Sequence, residues 1–259
     1  MKSSGSVKIL SVGNSFSVDA TAYLCDILKA VGYSDVTLGN LYIGGCSLET
    51  HAKNLSAPGT KPYVFYYCRG GEWENSGEVN IRDVVNIHDW DVVTLQQASH
   101  FSGMPETFDP WLGILKGYIK DRLPSARIAW HMTWAYQRDF TGSTFAGYGF
   151  DQDEMYRRII GAVRGRIMTA EDIDFIIPAG TAIQNMRSGS FGDDLTRDGF
   201  HLSVPLGRFA AGLVWARAVS GNRINELPPF PLPGALSPEE GEELLECIEN
   251  AFASPFEVS

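Results

Sequence analysis

The sequence predicts an α/β fold in which a five-stranded parallel sheet is covered by helices on both faces. Short β-branched runs alternate with longer segments of helical apolar period, the pattern of successive βα units. The first of these runs passes straight through a Gly-Asn-Ser turn into a helix. At 259 residues, 44% hydrophobic and 12% aromatic, the chain can also bury one sizeable core, so a single domain over 1–259 is expected.

The elements follow in order. A strand over Val7–Val12 ends at Gly13-Asn14-Ser15, and a helix over Val18–Ala30 follows. The second strand, Val36–Ile43, runs into Gly44-Gly45. Between Lys61 and Asn86 the run Tyr-Val-Phe-Tyr-Tyr-Cys and the Gly-rich Arg-Gly-Gly-Glu-Trp-Glu read as an inserted hairpin or binding loop near 61–86. Strands over Val92–Gln96, Arg127–Met132 and Phe175–Pro178 then alternate with helices over Pro110–Arg122, Asp153–Met168 and Leu206–Ala218. These three helices carry apolar residues at i, i+3, i+4 spacing. The stretch Leu-Pro-Pro-Phe-Pro-Leu-Pro-Gly at 227–234 cannot be helical, because proline lacks the amide donor and drives its neighbours to extended shapes, so it reads as a surface strap. Ser237-Pro-Glu-Glu supplies an N-cap, a first-turn proline and acidic residues at the positive end of a terminal helix near 238–251.

Composition narrows the partners. A net charge of -10 and a pI near 4.9 disfavour nucleic acid and anionic lipid, and a neutral or cationic small substrate is easier to accept. No apolar stretch is long enough for a membrane span. Met1–Ser6 has no apolar h-region, so the chain as written is expected in the cytoplasm, or in the periplasm or outside if a leader was removed. Cys25, Cys46, Cys68 and Cys247 lack CxxC spacing and read as ordinary thiols, with no metal expected.

The chemistry concentrates where strands end. Ser15 sits at the carboxyl end of the first strand and at a helix start, where open α/β sheets hold ligands and where backbone N–H groups can meet a developing oxyanion. The competing reading is that Ser15 or Ser17 only caps the helix. A nucleophilic serine needs a base, and of five histidines only His201 has an aspartate three residues before it, in Asp198-Gly-Phe-His. One turn of chain lets the Asp198 carboxylate reach one imidazole nitrogen while the other takes the serine proton. With strand order 2-1-3-4-5, the segments after strands two and three flank Ser15, so Gly45 can offer an N–H and Gln96 or Gln97 a side-chain amide to an oxyanion. His100 and His131 read as strand-end histidines without an assigned role. Trp73, Trp134 and Tyr136 are candidates for an aromatic platform under a sugar ring.

On these residues the chain resembles the SGNH hydrolases, also called GDSL esterases and lipases. Gly13-Asn14-Ser15 matches the first block, with Asn14 in place of the common aspartate; Gly45 matches the glycine block; and Asp198-x-x-His201 matches the closing one. The resemblance implies a three-layer αβα sandwich with flavodoxin-like strand order 2-1-3-4-5, and acyl-ester hydrolysis by a Ser15–His201–Asp198 triad without a cofactor. The family's third-block asparagine has no counterpart here. Carbohydrate O-acetylesterases of the superfamily carry a glutamine at that strand end, and by register Gln96 is its match, with Gln97 the alternative. Trp130-His-Met-Thr-Trp and Leu195-Thr-Arg-Asp-Gly-Phe-His resemble a largely uncharacterised bacterial subgroup. The expected activity is therefore hydrolysis of short acyl esters, O-acetylated carbohydrates among them. The rivals are a lipase, phospholipase or thioesterase on the same machinery, or a catalytically silent carbohydrate-binding protein.

Overall fold

The strand β1 (Ser6–Gly13) is buried along nearly its whole length, because Ile9, Leu10 and Val12 face helices on one side or the other of the sheet. It pairs in parallel with β2 (Asp35–Tyr42) on one side and with β5 (Val92–Leu95) on the other. Beyond β5 lie β6 (Arg127–His131) and β7 (Phe175–Ile177), also parallel. The computed structural model describes residues 5–231 and 235–259, so residues 1–4 and the end of the proline-rich strap, 232–234, lie outside the described residues.

The sheet corrects the five-stranded, all-parallel expectation. Seven strands form it, in the order β4-β3-β2-β1-β5-β6-β7. The two additions are β3 (Tyr63–Arg69) and β4 (Glu72–Val79), an antiparallel hairpin laid against β2. Gly70 and Gly71, both at positive φ (77° and 113°), form the tight turn that joins them. The sheet is thus mixed, and its full order is not 2-1-3-4-5. The segment expected as an insertion is part of the sheet itself.

Helices cover both faces. The segment 18–30 is two helices, α1 (Ser15–Thr21) and α2 (Leu24–Ala30), which break at Ala22–Tyr23. They are followed in the chain by α3 (Leu48–Leu55), α4 (Ile81–Val85), α5 (Trp111–Arg122) and α6 (Gln152–Ala162), the last running on through a π turn at Val163–Ile167. After β7 come α7 (Ala179–Ser188), α8 (Leu206–Ser220) and α9 (Pro238–Ala253). α1, α2, α7 and α9 pack around α8, whereas α3 packs with α4 and α5. Ser237 and Glu240 complete a reciprocal capping box at the start of α9. No described helix is long and apolar enough to cross a membrane.

Candidate active site

The turn between β1 and α1 is built by Asn14. Its side-chain oxygen accepts the Phe16 N–H at 3.0 Å and caps the helix, which leaves Ser15, at the first helical position, free of that task. The Asn14 amide nitrogen donates to the Cys46 carbonyl at 3.2 Å, tying the nucleophile turn to the glycine loop after β2. An aspartate could cap, but when ionised it could not make this second bond. The Ser17 hydroxyl lies 2.8 Å from the Asn14 carbonyl and 3.0 Å from Asn40 Oδ1, so it too is occupied with local structure.

Ser15 Oγ lies 2.8 Å from His201 Nε2, and His201 Nδ1 lies 2.6 Å from Asp198 Oδ2. A proton on Nδ1 would be held by Asp198, leaving Nε2 to accept from the serine hydroxyl. The other Asp198 oxygen accepts the backbone N–H groups of His201 and Phe200 at 2.8 and 3.3 Å. Partial burial acts to raise the Asp198 pKa, but the bonds from the His201 side chain and from the two backbone amides outweigh it and hold the carboxyl below its ordinary range. Gly199 makes this loop possible. Its φ is +92°, and a Cβ there would come within 2.4 Å of the Phe140 ring.

A buried carboxylate not anticipated from sequence locks the loop to the helix. Asp19, one turn after Ser15 and 1% exposed, accepts the Leu202 N–H at 2.9 Å. It also pairs with Arg197 at 3.0 Å and Arg208 at 2.7 Å. Beneath the turn the Trp134 indole stacks flat on Phe16, centroids 4.3 Å apart, and donates to the Phe200 carbonyl at 2.8 Å.

The two glutamines expected near the oxyanion are both buried. Gln96, 2% exposed, donates to Asn14 Oδ1 at 2.9 Å, and its carbonyl oxygen is 3.0 Å from His131 Nδ1. Full burial pushes the His131 imidazole down to about 3, so it stays neutral at neutral pH. Gln97 is committed further, donating to the carbonyl and hydroxyl of Thr107 and accepting from the backbone of Leu48 and Ala98. Gly45 is exposed at φ +62° in the loop that Asn14 anchors. The backbone N–H groups of Ser15 and Gly45 make no hydrogen bond among the described residues.

The aromatic platform is corrected for two of its three members. Trp134 and Tyr136, 0% and 1% exposed, are core side chains with no face left for a sugar, and the Tyr136 hydroxyl is taken by Ser99 at 2.8 Å. Trp73 is partly buried and lines a cavity. All four cysteines are buried free thiols. Among the described residues, no group of three or more His, Cys, Asp or Glu side chains is placed to hold a metal ion.

No curated protein matches the chain by sequence. Among solved structures, a DUF4886 family protein from Bacteroides uniformis is 33% identical with a TM-score of 0.91, over 98% of this chain and 97% of that one. A protein proposed to be an SGNH hydrolase, from Slackia heliotrinireducens, is 22% identical with a TM-score of 0.58, over 83% of this chain and 100% of that one. A protein proposed to be a GDSL-like lipase, from Parabacteroides merdae, is 14% identical with a TM-score of 0.53, over 84% and 97%. These last two share the fold, a mixed sheet with helices on both faces. The model of the family described as domain of unknown function DUF4886 matches residues 8–231, and with the close likeness to the Bacteroides protein this establishes that the chain belongs to the DUF4886 family.

Proposed function

We propose that this protein is a serine ester hydrolase in which Ser15 is the nucleophile, His201 the general base and Asp198 the residue that orients and stabilises the imidazolium. The observation that carries the reading is the continuous relay Ser15 Oγ–His201 Nε2–His201 Nδ1–Asp198 Oδ2, with distances of 2.8 and 2.6 Å. Its place at the carboxyl ends of the sheet's parallel strands supports the same reading.

The chemistry runs in two halves. His201 Nε2 accepts the hydroxyl proton as Ser15 Oγ attacks the ester carbonyl carbon. The oxyanion so formed is held by the Ser15 and Gly45 backbone N–H groups. Collapse of this intermediate breaks the bond to the alcohol oxygen, which takes the proton from His201 and leaves an acyl-Ser15. Water then attacks the acyl group with His201 again as base, releasing the acid and restoring the hydroxyl. In this scheme Gln96 acts through Asn14, aligning the turn that presents the Ser15 N–H.

The substrate we favour is a short acyl ester, with an acetylated carbohydrate ahead of a long-chain lipid. A p-nitrophenyl ester series from acetate to palmitate, run beside Ser15→Ala and a fluorophosphonate probe, tests this. Labelling of Ser15 with fastest turnover at acetate is the expected result. A maximum at long chains would point to a lipase, and sugar binding without labelling to a silent carbohydrate-binding protein.

A further inference from the structure

A cavity of about 430 Å³ opens between α1, the β3–β4 hairpin and the first turn of α8. Its walls include Val18, Ala22, Tyr23, Tyr66, Trp73 and Arg208. Two features join it to the Ser15 site. Ser15, Val18 and Ala22, spaced i, i+3, i+7, form the part-exposed stripe of α1 and its cap, so the surface on which Ser15 opens continues into the cavity. On the other wall, Tyr42 precedes the Gly44-Gly45 turn and its ring lies 5.7 Å from that of Tyr66. Aromatic surface therefore runs from the glycine loop to the hairpin.

The charge at the cavity is opposite to that of the protein. The buried Asp19 faces two partly exposed guanidinium groups, Arg197 and Arg208, so this cluster carries one more positive than negative charge in a chain of net -10. Arg208 gives Nε and Nη2 to Asp19, and its Nη1 makes no hydrogen bond among the described residues. Rings beside a spare guanidinium nitrogen suit a ligand with an apolar ring face and a carboxylate.

We propose that this cavity binds the alcohol half of the substrate and that this half is an acidic sugar of the uronic acid type, its ring face on Trp73 and Tyr66 and its carboxylate on Arg208. The inference rests on the ester-hydrolase reading for its orientation toward Ser15. The acyl group then lies at Ser15 and the sugar extends along α1.

The test measures binding of methyl β-glucuronide and methyl β-glucoside to the Ser15→Ala protein by calorimetry. Turnover of p-nitrophenyl acetate by wild type serves as a separate monitor of the triad. The glucuronide is expected to bind at least about ten-fold tighter than the glucoside, a difference that shrinks as salt rises. Trp73→Ala, in the Ser15→Ala background, should weaken glucuronide binding by about ten-fold or more. Equal affinity for the two glycosides, binding of neither, or a preference insensitive to salt overturns the inference even where Ser15-dependent turnover is intact. The salt series needs only the Ser15→Ala protein, so the outcome stands even if Trp73→Ala does not fold. Turnover that survives Ser15→Ala overturns the ester-hydrolase reading instead, and with it the assignment of the cavity to an ester's alcohol half.

Discussion

The Asp19 carboxylate accepts the backbone N–H of Leu202, so a side chain one turn along the helix from Ser15 holds the peptide that follows His201. Ser15 and His201 are 186 residues apart in the chain, and this buried group keeps their elements in register. Arg197 and Arg208 complete the joint from the loop and from α8.

Asp19→Asn keeps the size of the side chain and removes its charge, leaving two guanidinium groups without their counter-ion. The arginines are partly exposed, so the loss of stability should fall at the low end of that for a broken buried pair, about 3 kcal/mol. Urea unfolding measures it. Because the amide oxygen can still accept from Leu202, kcat should drop less than in a variant that removes the relay itself.

Ser15→Ala should reduce ester turnover by about 10⁴-fold or more, since the hydroxyl is the attacking group. Ser15 caps nothing, and Asn14 does so in its place, so the melting temperature should stay at the wild-type value. Steady-state rates beside a thermal melt check both halves, and a variant with wild-type rate would end the assignment.

The polar chain His131–Gln96–Asn14–Cys46 makes a graded prediction. Asn14→Asp sets a carboxylate oxygen against the Cys46 carbonyl, and Gln96→Ala removes one partner of Asn14; both should lower kcat by about 10²-fold through a misplaced turn, with little change in KM. Gln97→Ala leaves buried backbone donors at Leu48 and Ala98 unsatisfied, so it should cost about 1–3 kcal/mol of stability with a smaller effect on kcat. The opposite ranking of the two glutamines would show that Gln97 is the one coupled to the site.

Acid should destabilise the fold well above the carboxylate range. His51 and His131 are fully buried, and burial drives both down to about 3, whereas in the unfolded chain a histidine takes its proton near about 6.5. Between those values the unfolded state holds more protons, so stability falls as pH falls through this window, by about 1.4 kcal/mol per pH unit for each histidine. A urea midpoint series from pH 7 downward reads the slope. His51→Gln should flatten it, and an unchanged slope would mean that this imidazole is not buried and neutral in the native state.

The parallel strands are legible because they are short apolar runs, most of them buried on both faces, and Asp198 and His201 because three residues of spacing let one turn of chain bring them together. What escaped the sequence lacks such a local mark. The segment 61–86 reads as a hairpin or loop but not as part of the sheet, because β4, Glu-Trp-Glu-Asn-Ser-Gly-Glu-Val, is poor in β-branched residues and exposed along most of its length. The helix α7 is buried on every side through Met186, its Thr181, Gln184 and Asn185 included, so its polar residues do not mark a solvent face. Asp19 meets Arg197 and Arg208 across 178 and 189 positions, a pairing that no window of sequence contains. Trp134 and Tyr136 read as platform candidates because aromatic residues serve binding surface and core alike, and only packing against Phe16, Phe140 and Phe145 separates the two.

The hairpin also decides where the sheet stops. Without it β2 would be the outermost strand, with buried-type Val36, Leu38 and Leu41 beside a row of open backbone groups. With it the boundary strand is β4, whose Glu72, Glu74 and Glu78 are all exposed. A second copy approaching that edge brings the same three carboxylates, and like charges across a forming ladder repel. The strand that helps wall the cavity thereby also guards the sheet against growth into a filament.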